Sequence, residues 1–442
     1  MKAQVLVYRS ELLAYSETFI AAQVAAMRRY APFYVGLRRV SPSLPLAAPE
    51  LLTGSDRLPD RARRYVFLKT GWSPGLLGRL RAREPALLHA HFALDAAEAL
   101  PLARSLDLPL VVTLHGYDVM AGDEAHGLTR RGRLYLARRR RLWCEARLFL
   151  CVSEAIRQRA VQRGFPPDRL RVHAIGIDLQ QYAVPEHRRP QPVVLFVGRL
   201  IEKKGCIHLL RAMRLVRDTM PGTRLVIVGE GPERARLEAE ARLIVPETLF
   251  LGLQTAAQVR QWMAVSRVLA VPSITARDGD AEGLPTVVGE AMAMGLPVAA
   301  FRSSGIPELL RHGTEGLLSE PGDVAGLARD LLRLCQDEAL AQDLSQAGRR
   351  RVQQCFEVSA QTALLETMYD EVLHAWSQAH SGAQAEGREA AHARRRSGGV
   401  AATSAAAAGS SCLTAPVGPH SAVPAGTKAI AGARVATPRS AS

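Results

Sequence analysis

The sequence is poor in cysteine, lysine and aromatic residues, and it has no long apolar run. Its six cysteines, at 144, 151, 206, 335, 355 and 412, form no C-x-x-C pair. Neither a zinc site nor a disulfide framework is expected, and the cysteines read as reduced thiols. No 18-residue apolar window is free of charge, and the first apolar run, Ala3 to Val7, is closed by Arg9. Neither a spanning helix nor a secretory leader is expected, so the reading is cytoplasmic. Aromatics make up 5% of the chain and no nucleic-acid recognition motif is present, so no nucleic-acid partner is expected. What is abundant is apolar residues, 48% of 442, with 22% charged, a globular composition long enough for two domains.

The net charge of +15 is unevenly spread: +13 over residues 1–190, −3 over 191–380 and +5 over 381–442. Only five of the 57 basic residues are lysines, a bias that genomic composition produces without selection for binding. A basic first half also suits an anionic membrane surface. The run Arg138 to Arg141, with Leu136, Leu142 and Trp143, reads as an interfacial helix.

Short strand-like runs alternate with helical stretches: Leu87-Leu88, Leu110 to Leu114, Leu148 to Val152, Val193 to Val197, Leu225 to Val228, Val268 to Val271 and Pro297 to Ala300. This alternation predicts α/β architecture with parallel sheets covered on both faces, and ligands beyond the carboxyl ends of the strands. A polar, proline-marked stretch after Asp178 divides the series. The expected layout is a Rossmann-like domain over 1–180, a linker over 181–192, a second Rossmann-like domain over 193–357 facing the first across a cleft, and a helix over 358–377 packing back on the body. Residues 381–442, rich in Ala, Gly, Ser, Pro and Arg, read as a disordered tail.

The strand Val193–Val197 runs into Gly198-Arg199-Leu200-Ile201-Glu202-Lys203-Lys204-Gly205. Arg and Lys past a strand end, with glycines permitting close backbone approach, suit a diphosphate, since Arg offers a bidentate fork and Lys a point charge. A merely solvated turn is the competing account, weakened by two of the five lysines falling here. Downstream, Glu282-Gly283-Leu284-Pro285 leads into a helix carrying Glu290. Glu282 and the Gly283 and Leu284 amides then lie at a helix N-terminus that favours anions and hydroxyls. Two glutamates, one near a hexose and one near a ribose, would mark the ends of a nucleotide sugar. Helix capping is the plainer account of Glu282.

Taken in order, G-R-L-x-E-K-K-G, V-G-E-G-P at 228–232 and E-G-L-P-x-x-x-x-E resemble the retaining glycosyltransferases of family four, which have the GT-B fold, over roughly residues 1–377. The resemblance implies that Arg199 and Lys204 bind the donor diphosphate, Glu290 the ribose and Glu282 the transferred sugar, with Glu230 and Gly231 beside the base. It also implies that His115, in His115-Gly116-Tyr117-Asp118 after a strand, meets the sugar near the reacting carbon. Ser16-Glu17-Thr18-Phe19-Ile20 stands where many members carry a glycine-rich turn. With H-G-Y-D-V and D-G-D-A-E-G-L-P, this version is similar to the colanic-acid and amylovoran type of exopolysaccharide transferase. Ser16 and Glu17 would meet the acceptor by side chain, although Ser16 also fits a plain helix N-cap.

His91 is placed on the acceptor side. The H-x-H of His89 and His91 suggests a metal by spacing alone, but the imidazoles are expected on opposite faces of a strand and no third ligand is evident. Asp278 and Asp280 form a D-x-D string beside a full set of cationic phosphate ligands and read as loop or sugar-pocket residues, so no metal and no cofactor is expected. The implied activity is metal-independent hexosyl transfer, with retention, from a nucleoside-diphosphate sugar to a lipid-linked saccharide, by an enzyme in the cytoplasm or peripheral at the inner face of the membrane. The alternative is a non-catalytic GT-B scaffold attached to anionic membrane.

Overall fold

Runs of valine, leucine and isoleucine too short for a helix and closed by Gly, Pro or Asp become strands, and the longer runs between them become helices. The computed structural model describes residues 2–14, 16–39, 44, 50–51, 58–186 and 189–396, with backbone alone for 50–51, Pro74 and the stretch from 382 onward. Residues 1–392 form one compact unit.

Two wholly parallel sheets organise this unit. The first has strands in the order Glu50–Leu51, Ala31–Gly36, Gln4–Tyr8, Pro85–His91, Leu110–Leu114, Leu148–Cys151 and Leu170–Val172. The second runs Leu249–Phe250, Arg224–Val228, Val193–Val197, Val268–Val271, Val298–Phe301 and Leu317–Ser319. Inner strands such as Leu110–Leu114 and Val298–Phe301 are buried at every position, as helices on both faces require. One core cluster takes in residues of both halves, from Leu88 and Leu114 to Val288 and Leu309.

The chain passes between the halves twice, and the two crossings lie side by side. The Ile177 amide donates to the Phe356 carbonyl at 2.6 Å and the Val358 amide to the Ile177 carbonyl at 3.0 Å. The last helix, Val358–Arg396, then packs on the first sheet, where Leu365, Met368, Tyr369 and Val372 join Val5, Val7, Val111 and Leu150. From sequence the ordered body ends near 377 and a tail begins at 381. The helical backbone continues to Arg396, and 397–442 lie outside the described residues.

Three further contacts bring the halves together at the cleft. The Gly122 amide donates to the Asp278 carbonyl at 3.0 Å, and the Ser153 hydroxyl to the Gly283 carbonyl at 3.1 Å. The Glu308 carboxylate accepts from the Glu154 and Ala155 amides at 2.7 and 2.9 Å, where its negative charge meets a helix N-terminus.

The apolar residues of the helix Arg130–Glu145, expected to face lipid, pack on the core instead. Leu142 is buried, Leu136 packs on the core, and Trp143 rests on Phe165 with ring centroids 5.1 Å apart. Arg138 donates to the carbonyls of Ala97 and Leu68, while Arg139 pairs with Asp123 and Arg141 with Glu145. Its apolar face therefore serves the core. Among the cysteines, Cys151, Cys206 and Cys335 are buried free thiols and Cys355 is an exposed one. No helix among the described residues is long and apolar enough to cross a membrane.

Candidate active site

A cavity of about 350 Å³ opens between the halves at the carboxyl end of the second sheet, bordered by Arg199, Lys203, Lys204, Glu230, Glu282 and Glu290. Its floor follows from the strand Val193–Val197, which ends at Gly198 and gives way to the short helical turn Glu202–Lys204. Gly205 ends that turn at φ 62°, and a side chain there would drive into the Pro272 carbonyl. Glycine is thus required to set the two lysines ahead of the helix Cys206–Thr219. Arg199 is exposed to the cavity.

The Lys204 ammonium stands 2.7 Å from a Glu282 carboxylate oxygen, to which the Ser273 hydroxyl also donates at 3.2 Å. Burial by itself would raise the Glu282 carboxyl, but the charges of Lys204 and Lys203, with the hydrogen bonds of Lys204 and Ser273, hold it below the ordinary value. Lys203 is bound beside it, its ammonium 3.0 Å from the Asp280 carboxylate. The D-x-D loop therefore anchors a lysine. No group of three His, Cys, Asp or Glu side chains that could hold a metal ion stands together among the described residues.

The helix Thr286–Ala293 begins after Pro285, so Pro285, Thr286 and Val287 border the cavity. Gly283 and Leu284 lie behind it. Gly283 abuts the first half so closely that a side chain would collide with the His115 carbonyl, and Leu284 is buried in the core. Glu290 reaches the cavity one turn further along the helix. Burial pushes its carboxyl up to about 7, opposed by hydrogen bonds with the Tyr182 and Thr286 hydroxyls and by the charge of Arg260. Glu230 borders the other end and pairs with Arg234. Gly231 turns beneath it against the Leu200 backbone.

On the first half the predicted residues separate. Ser16 borders the same cavity as Lys204. It caps no helix, because the helix Thr18–Ala26 has Glu17 at the cap position, without a capping side-chain bond. Glu17 is drawn inward into a buried ion cluster. Arg9 bonds both Glu17 and Asp95, and Arg131 bonds Asp95 and Glu98.

His115 lines a separate void of about 10 Å³ with His91, Phe19 and Val152. Its Nε2 is 3.1 Å from Nδ1 of His91, and the Phe92 ring lies on it with centroids 4.4 Å apart. Phe92 holds φ 72° and ψ 138°, a conformation that costs a bulky residue of order 1–3 kcal/mol and that the surroundings must enforce. His89 and His91 share one face of their strand, rings stacked at 4.5 Å, because residues two apart in a strand point the same way. The expectation of opposite faces is corrected on that ground. Both His89 nitrogens are engaged, by Tyr369 at 2.6 Å and Thr113 at 2.7 Å.

Three residues of the site went unassigned from sequence. Tyr182, placed in the linker, is buried against the cavity, with the Arg260 guanidinium 5.7 Å from its ring centre. An aromatic inside a polar, proline-rich stretch was its only local signal. Lys203 stood inside the phosphate motif without a role, and Arg260, far along the chain, gave no sign at all.

A family model described as Glycosyltransferase Family 4 matches residues 28–181, and one described as Glycosyl transferases group 1 matches residues 191–337. The chain thus carries a Family 4 glycosyltransferase region followed by a group 1 glycosyl transferase region. It is 30% identical over 275 residues to the amylovoran biosynthesis glycosyltransferase AmsK of Erwinia amylovora, covering 60% of this chain and 65% of that one. It is 28% identical over 231 residues to the putative colanic acid biosynthesis glycosyltransferase WcaL of Escherichia coli, covering 51% and 55% respectively. The match thus spans less than two thirds of each relative. Among solved structures, HepE of Anabaena in complex with UDP superposes with a TM-score of 0.63 at 20% identity, over 84% of this chain and all of that one. Sucrose-phosphate synthase of Thermosynechococcus elongatus superposes with a TM-score of 0.67 at 20% identity, over 85% of this chain and all of that one. These likenesses give the fold as GT-B.

Proposed function

We propose that the protein moves a hexose from a nucleoside-diphosphate sugar, with retention at the anomeric carbon, to a growing saccharide carried on a lipid at the cytoplasmic face of a membrane. The observation that carries this reading is the cavity whose lining brings Arg199 and Lys204 together with two carboxylates, Glu282 and Glu290. A diphosphate fits the cations, and vicinal hydroxyls fit the carboxylates. In the reaction the bond from the anomeric carbon to the diphosphate oxygen breaks as the acceptor hydroxyl oxygen bonds to that carbon on the same face. The hydroxyl proton passes to the departing phosphate oxygen. Charge growing on the diphosphate meets cations already in place, which is how fixed charges lower such a barrier. On this reading no metal is needed. The exopolysaccharide names of AmsK and WcaL support a polysaccharide acceptor, and the UDP held by HepE supports a nucleotide donor.

The test is a screen of nucleoside-diphosphate sugars with a lipid-linked saccharide, following release of the nucleoside diphosphate. Release that needs both partners, with a product whose new linkage keeps the donor's anomeric configuration, is the expected result. If no donor is consumed with any acceptor while UDP still binds, the non-catalytic scaffold is the better reading.

A further inference from the structure

The helix Leu58–Thr70 packs one side inward through Phe67, which is fully buried. Its other side is also apolar, and it faces outward. Leu58, Ala62, Tyr65 and Lys69 follow one another at intervals of four, three and four, so they form one stripe along a helix. Leu58 is 78% exposed, Tyr65 65% and neighbouring Val66 42%, while Trp72, in the turn that follows, is 58% exposed. Four large exposed apolar side chains on one helix and the turn that follows it mark an interaction site, because isolated ones are ordinary and clusters are not.

The surroundings indicate the partner. Residues 58–83 hold seven basic residues and one acidic residue. Arg61 pairs with no carboxylate among the described residues, and the Lys69 ammonium lies 5.9 Å from the Tyr65 ring centre. A second protein would have to match both the charge and the apolar shape. A bilayer of anionic lipid offers negative headgroups above an apolar layer, and tryptophan and tyrosine favour that boundary, with lysine and arginine reaching up to the phosphates.

We infer that the outer face of the helix Leu58–Thr70, with Trp72, docks this protein on an anionic lipid surface, in place of the arginine-rich helix Arg130–Glu145. The inference gives the lipid-borne acceptor of the proposed function its surface, and on that function it rests for its purpose. Docking is nevertheless measured without donor or acceptor, so failure of transfer and failure of docking are separate results.

The full chain is sedimented with vesicles of phosphatidylcholine, with or without phosphatidylglycerol, at low and high salt. The wild type should bind only the anionic vesicles and be released by salt. The variant carrying Tyr65→Ser, Trp72→Ser, Arg61→Gln and Lys69→Gln should lose at least about tenfold in partitioning while keeping its unfolding midpoint and its UDP affinity. Arg140→Gln, on the other helix, should bind as the wild type does. Should the fourfold variant unfold, Trp72 emission, obtained as the difference between the wild type and Trp72→Phe, provides a second measurement, since brominated lipid should quench it. Undiminished binding by the folded fourfold variant, equal binding to neutral vesicles, unquenched Trp72 on bound protein, or a wild-type dimer that the variant abolishes would each overturn the inference.

Discussion

Replacing Glu290 by glutamine should strengthen the fold and weaken nucleotide binding, and both effects should fade together as the pH falls. Burial moves this carboxyl from 4.5 to about 7 in spite of the Tyr182 and Thr286 hydrogen bonds and the Arg260 charge. An acid whose pKa is raised by folding binds its proton more readily when folded, so stability declines as the pH rises from about 4.5 to about 7 and is level beyond that. The shift corresponds to at most roughly 3 kcal/mol at about 1.4 kcal/mol per pKa unit. Because the side chain also meets a cavity open to solvent, about 1–2 kcal/mol is the working magnitude. Glutamine keeps the shape and carries no charge. In urea unfolding the variant should therefore gain about 1–2 kcal/mol near pH 8 and lose most of that advantage near pH 5. UDP binding, followed by calorimetry, should show the opposite sign. The ionised carboxylate accepts ribose hydroxyls more strongly than an amide does, by roughly 1–2 kcal/mol, so the variant should bind UDP more weakly near pH 8. The wild type should itself lose affinity as the pH falls through about 7. A stability gain that ignores pH, or a wild-type UDP affinity that is flat between about pH 6 and 8, would refute the reasoning.

Arg199→Ala and Lys204→Ala should each lower kcat/KM by about 2–4 kcal/mol in barrier terms. Lys204→Ala should also destabilise the chain by leaving Glu282 buried beside no cation of its own, measurable as a lower unfolding midpoint. Turnover should survive excess EDTA, and a complete loss restored by Mg²⁺ or Mn²⁺ would transfer the chemistry to Asp278 and Asp280. Gly283→Ala should cost about 2 kcal/mol or more of stability, since its methyl group would collide with the His115 carbonyl where the halves meet; an unchanged urea midpoint would contradict that packing.

The legible parts of this structure are those whose information is local. The strands Leu110–Leu114, Val193–Val197 and Val268–Val271 stand where runs rich in β-branched residues and leucine announce them. Leu249–Phe250, Leu170–Val172 and Leu317–Ser319 are two or three residues long, too short to show any period. Ala31–Gly36 begins with Ala-Pro, and a proline argues against an inner strand, yet this one lies between Gln4–Tyr8 and Glu50–Leu51. The donor side was readable because Arg, Lys and Glu at fixed offsets have restricted chemical uses. The ion cluster that holds Glu17 was not legible, because its partner Arg9 is joined in turn to Asp95, 86 residues from Arg9, and no local pattern encodes a pairing of that span.

That buried cluster bears on the charge of His115. Arg9 and Arg131 supply two positive charges to three carboxylates, those of Glu17, Asp95 and Glu98. Burial raises the Glu98 carboxyl, opposed by Arg131 and reinforced by Asp95, while the two guanidinium groups outweigh burial at Asp95 and hold that carboxyl below its ordinary value. The cluster thus holds one more carboxyl than guanidinium, and burial weighs most on the ionised form of Glu98. His115 is fixed in the same sense: burial first, then the Arg9 charge, hold its pKa well below the ordinary value, so the imidazole is neutral at physiological pH. A neutral ring whose Nε2 faces His91 Nδ1, and whose buried Nδ1 has no hydrogen-bond partner among the described residues, holds no proton to give a leaving group. This agrees with a reaction in which the acceptor's own proton travels to the phosphate. The pH dependence of turnover should accordingly follow Glu290 near about 7, and His115→Asn, which keeps a hydrogen-bonding group of similar reach, should retain more activity than His115→Ala. Equal losses in the two variants, together with a fall of wild-type turnover with rising pH that His115→Asn removes, would instead make His115 a proton donor.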